Sequence, residues 1–200
     1  MRNPFLVVML SFAFISSGCV GPIVESSSIE NENIVNDRIN VISPTLGREV
    51  DKSANYNLLE QADNRSTLIL WAGAGCSGCH DWTETIRNEM ENGNFSNASH
   101  VVTIHRYPNF ETHKQVFNVY GNQSSEEYTP WPILMPEEGA VVWNAETGEE
   151  TDIKLIDAFD NPVTPTLQII DKEGVIIWQS RTYWATTSVL EEISTVLNTL

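Results

Sequence analysis

The sequence predicts an α/β domain, and three stretches carry that prediction. "STLILWAG" at 66 to 73 is an apolar run bounded by polar residues and glycine, the pattern of a buried strand. "CSGCH" at 76 to 80 follows at once, and Cys79, Trp82, Ile86 and Met90 then recur at spacings of three and four, one apolar face of a helix running to about residue 91. Further on, "TPTLQIID", a turn at "DKEG" and "VIIWQS" make a hairpin that leads into a closing helix. The chain has 200 residues, 41% of them hydrophobic, so it forms one compact domain once processed segments are removed.

The N-terminus reads "MRNPFLVVMLSFAFISSGC": an early Arg2, an apolar run from Phe5 to Ile15, then small residues ending at Cys19. This is the layout of a secretory signal over residues 1–18. The run is too short to cross about 30 Å of hydrocarbon as a helix, so it is a signal and not a permanent span. "SSGC" resembles a bacterial or archaeal lipobox, which implies cleavage before Cys19 and lipidation of its thiol, although Ser16 stands where Leu is commoner. One lipid-bearing cysteine and one pair would account for all three cysteines. Residues 19–50 are rich in Ser, Asn and Glu with no sustained period and read as a flexible tether, reaching roughly 30 Å.

The folded part is expected to begin near residue 51 with a short helix at "SANYNLLEQA". After the CSGCH helix, "HVVTIHRY" (100–107) alternates like a second strand, and "ETHKQVFNVYG" reads as a helix with Gly121 in a C-terminal capping position. Pro130, Pro132 and Pro136 break any long element, leaving "PILM" and "AVVWN" as short strands. The last helix opens with a capping box from Ser188 to Glu191 and carries Val189, Leu190, Ile193, Val196, Leu197 and Leu200 on its apolar face.

Eleven Lys and Arg against 27 Asp and Glu give a net charge of -16, a field that repels phosphate backbones and argues against nucleic acid as a partner. The histidines show no metal-ligand spacing, so no metal is assigned. Asn-x-Ser sequons begin at Asn64, Asn94, Asn97 and Asn122, a pattern that an Asn- and Ser-rich chain also produces by chance.

CSGCH admits two chemistries. Cys76 and Cys79 can shuttle between dithiol and disulfide, or both can be thioether-bonded to a c-type haem that His80 ligates, with Met90, Met135, His100, His105 or His113 as the distal ligand. The helix face places Cys79 on the packed side and Cys76 before the first turn, in the open. Helix N-terminal amides favour a thiolate there, which is the nucleophile of disulfide exchange.

The order of elements, strand, CxxC at a helix start, strand, helix, then Thr-Pro entering a hairpin and a closing helix, resembles a thioredoxin-like domain over residues 51–200. "LILWAGAGCSGC" is similar to the strand and redox turn of that family, and "NPVTPTLQIIDKEGVIIW" to its cis-proline segment. The long interval from Cys79 to Pro165, with "WPILMPEEG" in it, is similar to extracytoplasmic, membrane-tethered TlpA-like members, which insert structure before that proline. The resemblance implies a central mixed sheet flanked by helices, with an insertion before the cis-proline segment. It further implies a thiol:disulfide oxidoreductase with no cofactor beyond its own disulfide. Its partners would be protein thiols and disulfides and a membrane or soluble redox protein. Cys76 would attack and Cys79 resolve, while Thr164 and Pro165 hold a substrate strand; Ser77, Gly78 and His80 are candidates for tuning the pair. This setting weighs against haem.

Departures from the family pattern are plain. Gly75 replaces the tryptophan usual before the first cysteine, and Leu70 stands where thioredoxin has a buried carboxylate. Asp81 and Glu84 lie close behind the pair, and "SRTYW" replaces a loop that often carries glycine, with Tyr183 and Trp184 as groove walls or core residues.

Overall fold

The computed structural model describes residues 38–93, 95 and 100–199. The signal segment, Cys19, Asn94, Asn97 and Leu200 lie outside the described residues. Five strands form the central sheet: β4 (Thr67–Ala72), β5 (His100–His105), β6 (Ile133–Leu134), β9 (Thr166–Ile170) and β10 (Ile176–Ser180), in the order β10-β9-β4-β5-β6. β4 runs parallel to β5, and β5 to β6, whereas β9 is antiparallel to β4 and β10 to β9. The sheet is mixed, as expected.

Alternation along β4 divides the core, because successive side chains leave a strand on opposite faces. Leu68, Leu70 and Ala72 pack with Cys79, Trp82 and Ile86 of α2 (Ser77–Glu91) and with Val189, Ile193 and Leu197 of α5 (Thr187–Asn198). Ile69 and Trp71 face the other way, onto Tyr56, Leu58, Val142, Leu155 and Phe159. Both faces of β4 are therefore dry, and this explains its unbroken apolar run.

That second face is covered by parts the sequence reading misplaced. Residues 38–50 belong to the fold: β1 (Ile39–Asn40) pairs with β7 (Val141–Asn144), β2 (Ile42–Pro44) pairs with β3 (Asn55–Asn57), and Ile39 and Val41 are buried on this face while Leu46 is buried in the cluster on the α2 side. Arg48 bridges the buried Asp51 carboxylate and donates to the carbonyls of Tyr120, Thr129 and Trp131. Residues 38–50 are thus not part of a tether, and the rest of the expected tether, residues 19–37, lies outside the described residues. Strands of two or three residues leave no periodicity to read.

The expected helix around residue 57 shortens to α1 (Leu58–Ala62), capped by the Asn57 side chain. Between Cys79 and Pro165 the inserted structure comprises α3 (His113–Val116), β6, β7, β8 (Glu150–Lys154) and α4 (Leu155–Ala158). Gly121 does not cap α3 in a left-handed conformation; it ends a π-type turn over Phe117–Gly121, where a Cβ would come within 2.8 Å of the Phe117 ring. Met90 is half-turned to solvent, so the packed face of α2 ends at Ile86. Thr186, not Ser188, caps α5 by accepting from the Val189 amide. Gly174, at φ +90°, closes the hairpin turn.

Candidate functional site

β4, the central strand, ends at Ala72, and four residues later Cys76 is the N-cap of α2. Cys76 and Cys79 are joined, with S–S 2.16 Å and Cα atoms 5.2 Å apart. The Cys76 sulfur accepts the Cys79 amide at 3.1 Å, so it sits on the free N–H groups of the first helical turn. Cys79 is fully buried, 4.0 Å from the Trp71 carbonyl, while Cys76 is half-buried. Of the two sulfurs, only that of Cys76 belongs to a residue a partner can reach.

The Thr164-Pro165 peptide is cis. Thr166 is registered opposite Trp71, which places Pro165 at the same end of the sheet as the disulfide. Tyr107 joins the two segments: its hydroxyl lies 3.1 Å from Thr164 Oγ1, and its ring lies against Gly73, where a Cβ would come within 2.9 Å of it. Val163 is exposed and Thr164 is half-buried.

Side chains brace the turn before Cys76 on every side. The Tyr120 hydroxyl donates to the Gly73 carbonyl at 2.8 Å, and His80 Nε2 donates to the Ala74 carbonyl at 2.9 Å. One carboxylate, Glu111, accepts the Ala74 amide at 2.7 Å and the Gly75 amide at 3.0 Å. His105 Nε2 donates to the same carboxylate at 2.9 Å, leaving its buried Nδ1 without a partner. Burial would push the Glu111 pKa up, but the hydrogen bonds from Ala74, Gly75 and His105 outweigh it and hold the carboxyl below its usual range. Burial pulls His105 below the ordinary imidazole value, against the opposing pull of Glu111.

The other singled-out residues fall around this turn. Ser77 is exposed, and Gly78 is buried because the Tyr183 carbonyl and ring occupy the space a Cβ would need. The His80 ring stands edge-on to Tyr120 with Nδ1 3.8 Å from a Glu127 carboxylate oxygen. Asp81 accepts the Ala185 amide at 2.7 Å, and Trp82 Nε1 donates to the Thr182 carbonyl at 2.8 Å, so the 182–185 loop is tied to α2. Glu84 is exposed. Tyr183 and Trp184 form a surface pair, 45% and 56% exposed, and are not core residues.

Sequence reasoning missed Glu111, Tyr107 and Tyr120, and named His105 only as a candidate distal ligand to haem. No local motif marks them. The one available signal is position: His105, Tyr107 and Glu111 follow the carboxyl end of a parallel strand, where α/β sheets gather their sites.

No family model matches the sequence, and no curated protein does. Solved structures match the fold. The thioredoxin domain of a thiol-disulfide oxidoreductase from Bacteroides vulgatus superposes with a TM-score of 0.55 at 12% identity, covering 83% of this chain and 99% of that one. A thiol:disulfide interchange protein of the thioredoxin family from Chlorobium tepidum gives 0.54 at 12%, covering 80% and 94%. A copper-bound ScoI from Arabidopsis thaliana gives 0.54 at 9%, covering 80% and 98%. With its β10-β9-β4-β5-β6 sheet, its disulfide at the start of α2 and its cis-proline before β9, the chain has the thioredoxin-like fold.

Proposed function

We propose that the protein is a thiol:disulfide oxidoreductase that exchanges disulfides with protein substrates outside the cytoplasm, tethered to a membrane by a lipid on Cys19. The observation that carries the reading is the disulfide itself: a reachable Cys76 sulfur on the first amides of α2, bonded to a fully buried Cys79. In the reducing direction the Cys76 thiolate attacks one sulfur of a substrate disulfide, forming a mixed disulfide and expelling the other sulfur as thiolate. Cys79 then attacks the Cys76 sulfur and releases the second substrate thiolate. Two electrons pass to the substrate, and the two protons lost by the protein dithiol end on the substrate sulfurs. The oxidising direction is the reverse.

The helix N-terminus supports this step modestly. A thiol pKa lowered from about 8.5 to about 7 raises the thiolate fraction at neutral pH about fifteenfold, while intrinsic nucleophilicity falls about fivefold. The larger benefit is a better leaving group and a resolving thiol held three residues away. The main chain at Thr164, at the same sheet end, is the place for a substrate strand to pair.

A haem held by the same pair fits these residues poorly. Cys79 is buried in the core and His80 Nε2 is engaged with the Ala74 carbonyl, so a porphyrin would have to displace both. The other alternative is a non-enzymatic thioredoxin-like binder that holds a soft metal through the two thiolates, which a pair that stays reduced against mild oxidants and retains copper through dialysis would favour. Insulin reduction with a dithiol as electron source tests the proposal. Wild type turns over and Cys76→Ser is reduced to background; equal activity in the two would overturn it. Mass spectrometry of the mature protein tests the anchor, which predicts a lipidated Cys19 at the N-terminus and fails if that thiol is unmodified.

A further inference from the structure

We propose that Glu111 is the positioning residue that sets the redox balance of the Cys76–Cys79 pair. Its carboxylate fixes the turn before Cys76 and opposes formation of the Cys76 thiolate, which makes the pair a stronger reductant. This rests on the redox reading above and adds to it the group that biases the direction of exchange.

Two observations meet at this carboxylate. It accepts from the amides of Ala74 and Gly75, the two residues immediately before Cys76, at 2.7 and 3.0 Å. Those N–H groups are thereby withdrawn from any anion at the turn. It also receives the Nε2 hydrogen of His105, a buried residue whose other ring nitrogen has no partner. A neutral imidazole and an ionised carboxylate leave the pair with one net negative charge, half-buried and one residue from the reactive cysteine. Like charge disfavours an anion nearby, so Glu111 opposes the field of the α2 N-terminus. His80 and Asp81 on α2, Glu127 beside His80, Tyr120 under Gly73, Tyr107 against Gly73 and Tyr183 against Gly78 are the other ionisable groups that contacts among the described residues bring to the turn. Among these only Glu111 bonds the backbone on the Cys76 side of the turn through two amides at once.

The sign follows from the balanced exchange with glutathione. Protein disulfide and two glutathione thiols give protein dithiol and glutathione disulfide; two electrons enter the protein, and two protons move to its sulfurs. Removing a negative charge next to Cys76 stabilises the thiolate form of the product, so the equilibrium moves toward dithiol and the protein becomes a weaker reductant. Glu111→Gln is the suitable variant. With its oxygen toward Ala74 and His105 the amide keeps two of the three bonds, and the one lost belongs to exposed Gly75, whose N–H can turn to water.

The experiment equilibrates full-length protein with glutathione redox buffers, acid-quenches, and counts free thiols at Cys76 and Cys79 by alkylation and mass spectrometry. Glu111→Gln should shift the equilibrium constant at least fivefold toward dithiol and raise the alkylation rate of Cys76 at pH 6 at least threefold. Glu138→Gln, the same charge change at an exposed residue outside the turn, should leave both within twofold of wild type. If Glu111→Gln also stays within twofold, the inference is overturned. Circular dichroism confirms that each variant is folded. Should Glu111→Gln not fold, Glu111→Asp, too short to span both amides, should still shift the equilibrium at least twofold, and an unchanged value overturns the proposal. The equilibrium is measured without any protein substrate. A wild type that fails to reduce insulin while Glu111→Gln shifts the constant therefore sinks the oxidoreductase reading and leaves the role of Glu111 standing.

Discussion

Cutting the chain at residue 51, where the polar tether was expected to end, should abolish folding, whereas a chain of residues 38–200 should fold. The shorter chain loses β1 and β2 and with them Ile39, Val41 and Leu46, which are 5%, 1% and 2% exposed. Burying such a side chain contributes about 1.5–3 kcal/mol, so the three together contribute about 5–9 kcal/mol. It also loses Arg48, leaving the carbonyls of Tyr120, Thr129 and Trp131 without their donor. A domain's whole stability is about 5–15 kcal/mol, so a loss of this size removes most or all of it. Urea titration followed by tryptophan fluorescence is the assay. Residues 38–200 should unfold in one cooperative step, and residues 51–200 should show none. A midpoint for 51–200 within about 0.5 M of the longer chain, equivalent to about 1 kcal/mol at typical slopes, would refute the reasoning.

Three further outcomes follow from the same contacts. Arg48→Met in the full chain leaves Asp51 buried without its counter-ion and should cost about 3–5 kcal/mol in the same titration. Gly78→Ala forces a methyl group into the Tyr183 carbonyl and ring; it should cost about 1–3 kcal/mol, lower the melting temperature by several degrees, and slow insulin reduction by displacing the loop beside Cys76. His100 is held neutral between the Tyr56 and Thr67 hydroxyls, its pKa lowered by burial to about 4. The unfolded chain therefore binds a proton that the folded one refuses between about pH 6.5 and 4. This contribution to stability is complete above pH 6.5 and is lost, to the extent of about 3 kcal/mol, as the pH falls through that window. Urea midpoints against pH should show this slope in wild type and a flatter one in His100→Asn.

How far the sequence could be read depended on the length of each element and the range of each contact. β4, α2, the β9–β10 hairpin and α5 announce themselves because each carries a run or a full period of apolar residues, the helices toward one cluster and the strands toward both. The CxxC pair and the Thr-Pro step were legible for the same reason, since both sit at the ends of those elements. Residues 38–50 were misread because their strands span two or three residues and gain their order from Gly174, Ala145 and Ile133, which are distant in sequence. Glu111 was invisible because its partners, the Ala74 and Gly75 amides, lie 37 and 36 residues away and a backbone amide carries no sequence signature. The cap of α5 was assigned two residues late: Ser188 and Glu191 match a capping pattern, but the hydroxyl that accepts the helix amide belongs to Thr186.

The proposed chemistry predicts that one sulfur forms the bond to a partner and the other breaks it. Cys79→Ser, incubated with an oxidised protein substrate after reduction, should accumulate a dithiothreitol-sensitive adduct whose linkage peptide maps to Cys76. The Cys76→Ser protein, with its remaining thiol in the core, should accumulate none. An adduct of equal yield on Cys79, or no adduct on Cys76, would contradict the account.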